Sequence, residues 1–310
     1  MRRVALVRFV VLASLGTVLV ACTGGGGGHS ASPPPSGSRS VPVLAATVTP
    51  DMATAMVSAA RAISALTTYD YRHLDASHAN AVRYLAEPLR SKYESSWTTQ
   101  VLPQATKVHT VVEGKTTDVA VTEIDGAKIG ILAFGQQNVS NSSRQPGVDL
   151  VTVAATMSRS GGKWLLSELD SVATDTPLRT STTWASPDLA AAILAGTQCA
   201  TKFTSLDGRH FDTDFQAQLD CTTGQLHTDL GTKRGELRTA AAKATAVGQV
   251  SQVGVTAVTA DKVSLLMAVS VTSTTSPGAP PAKRLNNLIV TLQQVSGRWL
   301  ASNLSTPDAQ

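Results

Sequence analysis

The sequence predicts an α+β fold made of two tandem cone-shaped domains, each with N-terminal helices packed on a curved antiparallel sheet. Two observations in the 310-residue chain predict this fold. A short charged signature and a tryptophan-containing segment each occur twice. Within each repeat, apolar residues recur first at helical spacing and then at every second position, as they do in strands. Helices followed by a meander form two layers in which the sheet folds over the helices.

Residues 1–21 are typical of a lipoprotein export signal. Three arginines in the first eight positions precede an apolar run, Phe9–Val20, that is too short to cross a bilayer. The run ends in Leu19-Val20-Ala21-Cys22, where the small residue Ala21 precedes the cysteine. We expect cleavage before Cys22, a diacylglycerol on its thiol and further acyl chains such as palmitate, which together anchor the chain to the outer face of the cell membrane. The alternative is a plain secretory signal in which Cys22 has no role.

Residues 22–46 are predicted to be the lipidated cysteine and a flexible tether. Five glycines, Gly24 to Gly28, and three prolines, Pro33 to Pro35, lie among scattered serines. Glycine and serine give flexible chain and proline gives extended chain. The glycines are not a phosphate-binding loop, because no strand precedes them and no Lys-Ser/Thr and helix follow.

The charge of the chain excludes one class of partner. The formal net charge is +4, from 26 basic and 22 acidic residues. Removal of the three signal arginines leaves 23 basic residues against the same 22 acidic ones. Such a balance provides no electrostatic footprint for a nucleic acid, so we expect none to bind.

The rest of the chain is an internal duplication. Thr49-Pro50-Asp51 recurs as Ser186-Pro187-Asp188 at a spacing of 137 residues. At the same spacing, the signature residues Asp70, Arg72, His73 and Asp75 match Asp207, Arg209, His210 and Asp212. Near the ends, Gly162–Leu169 matches Gly297–Leu304, with Trp164 and Trp299 135 residues apart. These matches predict domains at residues 47–172 and 185–306, joined by a linker at 173–184.

Helices are predicted at the start of each domain. Thr49 and Ser186 can cap the first helix, and the proline behind each suits the first helical position. The apolar positions of that helix are Met52, Met56, Ala59, Ile63 and Leu66 in the first copy and Leu189, Ile193, Gly196, Ala200 and Phe203 in the second. We expect a second helix over Ala76–Leu85 and Thr213–Gln225, and a further short helix starting at Pro88.

Strands are predicted after the helices, where β-branched and apolar residues alternate. Turns are expected at Asp125-Gly126 and at Ser160-Gly161-Gly162. Residues 272–284, which include three prolines and one glycine, are expected to form a loop. The predicted strands are Val119–Thr122, Ile129–Phe134, Val148–Met157 and the segment after Trp164 in the first copy, and Val250–Val258, Val263–Val271, Leu288–Leu292 and Trp299–Leu304 in the second.

A family resemblance rests on three motifs: Tyr69-Asp70-Tyr71-Arg72, Leu74-Asp75 and the closing Gly-Lys-Trp-Leu-Leu-Ser at 162–167. The chain resembles the actinobacterial Mce-associated proteins, partners of mammalian-cell-entry lipid importers, which look like members of the nuclear transport factor 2 superfamily. The resemblance implies a cone-shaped α+β fold. It is looser in the second copy, where Tyr69 becomes Leu206 and Tyr71 becomes Gly208.

The chain departs from that family in two ways. The family usually has a transmembrane helix and one domain, whereas this sequence has a lipid-anchor signal and two domains. Conjugative-transfer channel proteins of Gram-positive bacteria also place tandem domains of this fold outside the membrane, and the sequence leaves that relation open.

The repeated signature has two interpretations. His73 lies near two carboxylates, and such a pair can act as a base in catalysis. The interpretation we favour is a structural joint, in which Asp75 or Asp212 caps the second helix and Arg72 or Arg209 pairs with a carboxylate or a helix-end carbonyl. His73 and His78 have a poor spacing for metal ligands, and we expect no metal. Trp164 and Trp299 are expected to pack in the core rather than to stack on a ligand.

The cysteines predict one disulfide. With Cys22 lipidated, Cys199 and Cys221 remain as an even pair in an oxidising compartment. We expect them to join two helices of the second domain.

The sequence carries no recognised catalytic motif, and we expect no cofactor. The favoured function is a non-enzymatic accessory lipoprotein that organises envelope proteins, such as subunits of a lipid or sterol importer. Two alternatives stay open. One is a carrier that encloses an apolar ligand in its cones. The other is an enzyme of the isomerase or hydratase type, with an Asp, Glu or His inside a cavity. The superfamily includes both enzymes and binding modules, so fold alone does not choose between them.

Overall fold

The computed structural model describes residues 48–174, 186–242, 244–274 and 280–307. The predicted signal, Cys22, the tether and nearly all of the predicted linker lie outside these residues. Among the helices of the described ranges, none combines the length and the apolar character needed to cross a bilayer.

The first half of the chain forms helices and then a four-stranded meander. A π-helical turn, Trp97–Val101, connects the third helix to the fourth. The elements are α1 (Pro50–Leu66), β1 (Tyr69–Asp70), α2 (Leu74–Val82), α3 (Leu89–Ser96), α4 (Leu102–Val108), β2 (Val111–Asp125), β3 (Lys128–Asn141), β4 (Arg144–Ser160) and β5 (Lys163–Ser171).

The second half repeats this order of elements. Its elements are α5 (Pro187–Thr204), β6 (Leu206–Asp207), α6 (Phe211–Asp220), α7 (Gly224–Thr232), α8 (Arg234–Ala241), β7 (Thr245–Val258), β8 (Lys262–Thr274), β9 (Ala282–Val295) and β10 (Arg298–Ser305). The fold is therefore a mixed α+β structure with antiparallel strands, as the sequence predicts.

The first helix of each half begins where the sequence predicts, but only one of the two caps forms. The Thr49 hydroxyl accepts a hydrogen bond from the backbone N–H of Met52 at 3.2 Å, which satisfies an unpaired donor of the first helical turn. Ser186 makes no such side-chain bond at the start of α5. A proline follows each of these residues in the first helical turn.

Several predicted boundaries are wrong. Helices α2 and α6 begin at Leu74 and Phe211, two residues before the predicted positions. The helix predicted over 213–225 breaks between Asp220 and Gly224, because the segment between α6 and α7 bridges to β10 at Ala301. The loop predicted at 272–284 is shorter, because β8 and β9 stay paired as far as Ser273 and Ala282.

The eight long strands form one continuous antiparallel order, β10-β9-β8-β7-β2-β3-β4-β5, with β1 and β6 paired to β2 and β7. The halves meet in this order at a single residue pair, Val121 with Val255. Each half thus contributes one meander, and the two meanders are linked at their inner strands.

One face of each meander packs against the first helix of its own half. In the first half, small residues of α1 such as Ala55 and Ala59 lie against β3 and β5, where Ile131 and Leu166 are almost fully buried. In the second half, α5 packs in the same way on β8 and β9. Gly196 of α5 lets the helix approach closely, since a Cβ there would meet Leu265 at 2.6 Å.

The opposite faces of the two meanders pack against each other. The shared cluster consists of Ala120, Leu132, Phe134, Val172, Leu266 and Ala268. The contact is nearly symmetric, because Val121 pairs with Val255 and the Thr152 hydroxyl donates to Asn287 at 2.9 Å. The strand registers show that Val121 and Val255 occupy equivalent positions in the two halves, and that Thr152 and Asn287 do so as well. The two halves therefore pack as the subunits of a two-fold dimer do.

This contact tolerates no side chain at Gly254. A Cβ added there would lie 2.7 Å from the Cβ of Ala120 and 3.2 Å from the carbonyl oxygen of Val121. We expect Gly254→Ala to lower the free energy of unfolding by about 1–3 kcal/mol, since overpacking forces the strands apart. Urea unfolding measures the change. Gly235→Ala in α8, where a Cβ would meet no atom within 4 Å, is the matched control and should leave the midpoint unchanged or slightly higher. Equal midpoints for the two variants would contradict the tight contact.

Candidate functional site

The interior of each half is filled by its own side chains. Met157, Trp164 and Leu166 lie in the core of the first half, and Trp299 with Leu292 lies in that of the second. The two tryptophans are 7% and 8% exposed. At these positions the space between helix and sheet is occupied by packed apolar side chains.

The signature of each half forms a turn between a two-residue strand and a helix. The Asp70 carboxylate accepts from the backbone N–H of Arg72 at 2.9 Å and from its Nε at 2.9 Å. The Asp207 carboxylate does the same with Arg209. The next residue, His73, donates its backbone N–H to the carbonyl of Asp70 at 2.8 Å. This is a local side-chain turn, the kind of structure that aspartate favours.

The remaining signature residues lie at the starts of helices and on the surface. His73 and His210 occupy the N-cap positions of α2 and α6 without a side-chain capping bond. Asp75 and Asp212 are not caps, contrary to the sequence prediction, because they lie inside the first helical turn. Asp212 instead binds Arg234 at 2.7 Å and also Arg238.

Electrostatics supports a structural role for the signature. The hydrogen bonds from Arg72 lower the pKa of the Asp70 carboxyl to about 2. Those from Arg209 hold the pKa of Asp207 well below its usual range. A carboxylate that stays ionised and bound to a neighbouring guanidinium is poorly suited to accept a proton from a substrate. The side chain of Arg72 is 61% exposed and that of Arg209 81%, so both pairs face solvent.

His78 lies in an aromatic cluster of the first half. Its ring stacks on Tyr93 with centroids 5.8 Å apart, and its centroid lies 5.1 Å from that of Trp97. Trp97 in turn makes a T-shaped contact with Tyr69. Burial raises the pKa of both tyrosines. Leu206, Phe215 and Leu230 take the corresponding positions in an apolar cluster of the second half. Within the described ranges, His, Cys, Asp and Glu side chains do not group in threes as a metal site requires.

Cys199 and Cys221 are joined in a disulfide with their Cα atoms 5.7 Å apart. The bond links α5 to the residue that follows α6, as the sequence predicts. In the first half, Ala62 and Tyr84 stand at these two positions.

A surface groove, which we call the α1–α2 groove, lies between α1 and α2 of the first half. Its volume is about 410 Å³. It is lined by Ala60, Arg61, Ser64, Ala65, Thr68, Asn80, Arg83 and Tyr84. The Arg83 guanidinium lies 4.8 Å from the centre of the Tyr84 ring and donates to the Tyr84 hydroxyl at 2.7 Å. The groove therefore presents two cationic side chains above small residues.

A second depression, of about 290 Å³, lies where the two halves meet. Lys115 and Asp118 of β2 line one side, and Ile289 with residues 305–307 lines the other. It holds one basic and one acidic side chain, so its charge favours no particular class of ligand.

Sequence analysis does not identify the residues that line the α1–α2 groove. A difference between the two aligned copies does point to them. Arg61 and Arg83 correspond to Gln198 and Asp220, so two cations of the first copy are replaced by a neutral residue and an acid. Only the packing of α2 beside α1 brings the two arginines to the same groove.

No protein-family model and no curated protein matches this chain. Solved structures similar to it include an IcmL-like type IV secretion system protein of Legionella pneumophila, with 19% identity, 40% of this chain and 93% of that chain covered, and a TM-score of 0.35. The VirB8 protein of Agrobacterium tumefaciens is 11% identical to this chain. The match covers 40% of this chain and 93% of that chain, with a TM-score of 0.33. An Ntf2-like protein involved in plasmid conjugation has 7% identity, with 82% of this chain and 96% of that chain covered and a TM-score of 0.29. At these values the similarity identifies neither a family nor a function.

The Asp70–Arg72 pair predicts a measurable titration. The native pKa of about 2 lies below the ordinary value of 3.8, so the interaction stabilises the fold above about pH 4 and is lost as the pH falls towards 2. We expect the side-chain carboxyl carbon of Asp70, followed by NMR, to titrate near 2 and to move towards 3.8 in Arg72→Gln. Arg209→Gln, the same change in the second half, should leave the Asp70 midpoint in place. If the titration midpoint of Asp70 is the same in the original protein and in Arg72→Gln, the pair does not form in solution.

Proposed function

We propose that the protein is a non-catalytic accessory lipoprotein of the cell envelope, anchored through Cys22, whose two nuclear transport factor 2-like domains organise a lipid or sterol importer of the mammalian-cell-entry type. The importer comes from the sequence resemblance to Mce-associated proteins. The non-catalytic, surface-based role is supported by the fold.

The observation that carries this proposal is how the two interiors are occupied. Large side chains such as Met157 and Leu166 in the first half and Leu265 and Leu292 in the second are almost fully buried against the first helices. A carrier would use this space for an apolar ligand, and an enzyme would use it for a substrate. Since side chains fill it here, the outer surfaces are what remains for recognition.

The packing between the halves also suits an organising role. The sheets are joined by a backbone pair, a side-chain hydrogen bond and an apolar cluster. These contacts hold the two halves together in one structure. Two joined halves with different surfaces can each bind a different partner.

The tether sets how far such a body stands from the membrane. Between Cys22 and Thr49 the chain is rich in glycine, serine and proline. A flexible chain of about 25 residues has a root-mean-square span of roughly 28 Å. We propose that the folded part works at this distance from the bilayer, next to the membrane-bound parts of an assembly.

The anchor is tested by Cys22→Ser. We expect the full-length protein to partition into the detergent phase of a Triton X-114 separation and the variant to stay in the aqueous phase, because the acyl chains supply about 0.8 kcal/mol per buried methylene. Mass spectrometry of the mature N-terminus identifies the lipid. Cys199→Ser is the control, since it removes a cysteine but leaves the anchor. An unlipidated mature protein that starts elsewhere would contradict the proposal.

The assembly is tested by cross-linked affinity purification of the tagged lipoprotein from native membranes. We expect mammalian-cell-entry proteins or their permease among the proteins that co-purify. Recovery of a conjugation channel instead would replace the importer while keeping the accessory role. Recovery of the lipoprotein alone, with a bound lipid or with turnover of a small molecule, would overturn the accessory role.

A further inference from the structure

We propose that the α1–α2 groove of the first half binds an acidic segment of a partner protein, with a carboxylate of that segment held between Arg61 and Arg83. This inference rests on the proposed function, because it assigns the surface by which the lipoprotein holds its partner.

The lining of the groove supplies hydrogen-bond donors and positive charge in excess. Within the described part of the chain, the side chains of Arg61 and Asn80 have no hydrogen-bond or ion-pair partner. In the same ranges, the Arg83 side chain donates to the Tyr84 hydroxyl, which is not a carboxylate and so does not compensate the charge of the guanidinium. None of the eight lining residues is acidic. An anion is the ligand that such a set of donors recognises.

Arg83 is held in a defined position for this contact. Its guanidinium stacks over the Tyr84 ring and its Nη2 is fixed on the hydroxyl. The other N–H groups of the planar fork stay available, and the fork matches the two oxygens of a carboxylate. Because stacking already orders the side chain, less conformational entropy is lost when a carboxylate binds.

The floor of the groove is low and fixed. Ala60 and Ala65 are small, and the Ser64 hydroxyl is pinned at 3.0 Å to both the backbone N–H and the hydroxyl of Thr116 in β2. The lining residues Arg61, Asn80 and Arg83 are exposed. A small free anion would stay largely solvated here, whereas small-molecule sites bury most of their ligand. A protein segment adds its own surface around the carboxylate, so it fits an open groove better.

The second half lacks this chemistry at the same place. Gln198 stands at the position of Arg61, Asp220 at that of Arg83 and Lys202 at that of Ala65. The positive charge of Lys202 and the negative charge of Asp220 cancel. Cys221, at the position of Tyr84, is tied up in the disulfide, so no ring is present for stacking. The anion-binding character therefore belongs to the first half, and the second half provides a matched internal control.

Site-specific photo-cross-linking in native membranes tests the proposal. A benzoylphenylalanine is placed at position 80 of the full-length lipoprotein, and at position 217, the equivalent place in the second half, as a control. We expect an adduct from position 80 that maps by mass spectrometry to a partner segment rich in Asp or Glu, and a much weaker one from position 217.

Charge variants decide whether the arginines make the contact. We expect R61E/R83E to reduce the adduct from position 80 by about tenfold or more, and R61Q/R83Q to reduce it less, because reversal adds repulsion to the lost ion pairs. The control Q198E/K202E alters charge at the equivalent place of the second half and should leave the adduct unchanged. Urea midpoints of all variants show that each is folded.

The outcomes separate the groove from the function. An adduct to a segment without acidic residues, to phospholipid, or of equal yield after R61E/R83E would overturn the groove as an acidic-segment site. If affinity purification still recovers the partner in that case, the accessory role stands. If neither position 80 nor affinity purification recovers any partner, the proposed function fails and this inference fails with it.

Discussion

Face-to-face packing of the two meanders is the contact on which the rest of the structure depends. Because each meander is covered by a helix on one face and by the other half on the opposite face, strands β3 and β8 are buried on both sides. This is why Ile131–Phe134 of β3 and Leu265–Val269 of β8 are continuous apolar runs rather than alternating ones. The closest approach needs the smallest residues, and Ala120 meets Gly254 there. A larger residue at either position would move the two halves apart.

The two halves share this packing but differ in their exposed surfaces. Both halves retain the aspartate–arginine turn before their second helix, and the hydrogen bonds that lower the pKa of Asp70 are repeated at Asp207. Around that turn the halves differ. The first has an aromatic cluster and a groove with two arginines, while the second has an apolar cluster and a disulfide. Packing constrains the inner faces of both copies equally, so their surfaces are where different roles can arise.

The sequence predicted most elements because their causes are local. The helix at Thr49-Pro50-Asp51 carries its cap, its proline and its acidic first turn within three residues. The predicted start of α2 at Ala76 is two residues late, because Asp75 is a better capping residue than His73 by propensity. The bond from the His73 N–H to the Asp70 carbonyl ends the turn earlier, and Leu74 is buried as the first residue of the helix. Likewise, β8 and β9 extend into a segment rich in polar residues because their ladder of hydrogen bonds continues across it.

The sequence by itself determined the repeat, the order of helices and strands in each half, and the pairing of Cys199 with Cys221, since these follow from local periodicity, capping and residue counting. Only the tertiary structure decided how the two meanders meet, that the interiors are filled, and that Arg61 and Arg83 line one groove. The physical reason is that Arg61 on α1 and Arg83 just after α2 are 22 positions apart in the sequence and come to the same groove only through packing. Likewise, Leu266 and Ala268, which share a buried cluster with Leu132 and Phe134, lie more than a hundred residues away, and no local pattern encodes that contact.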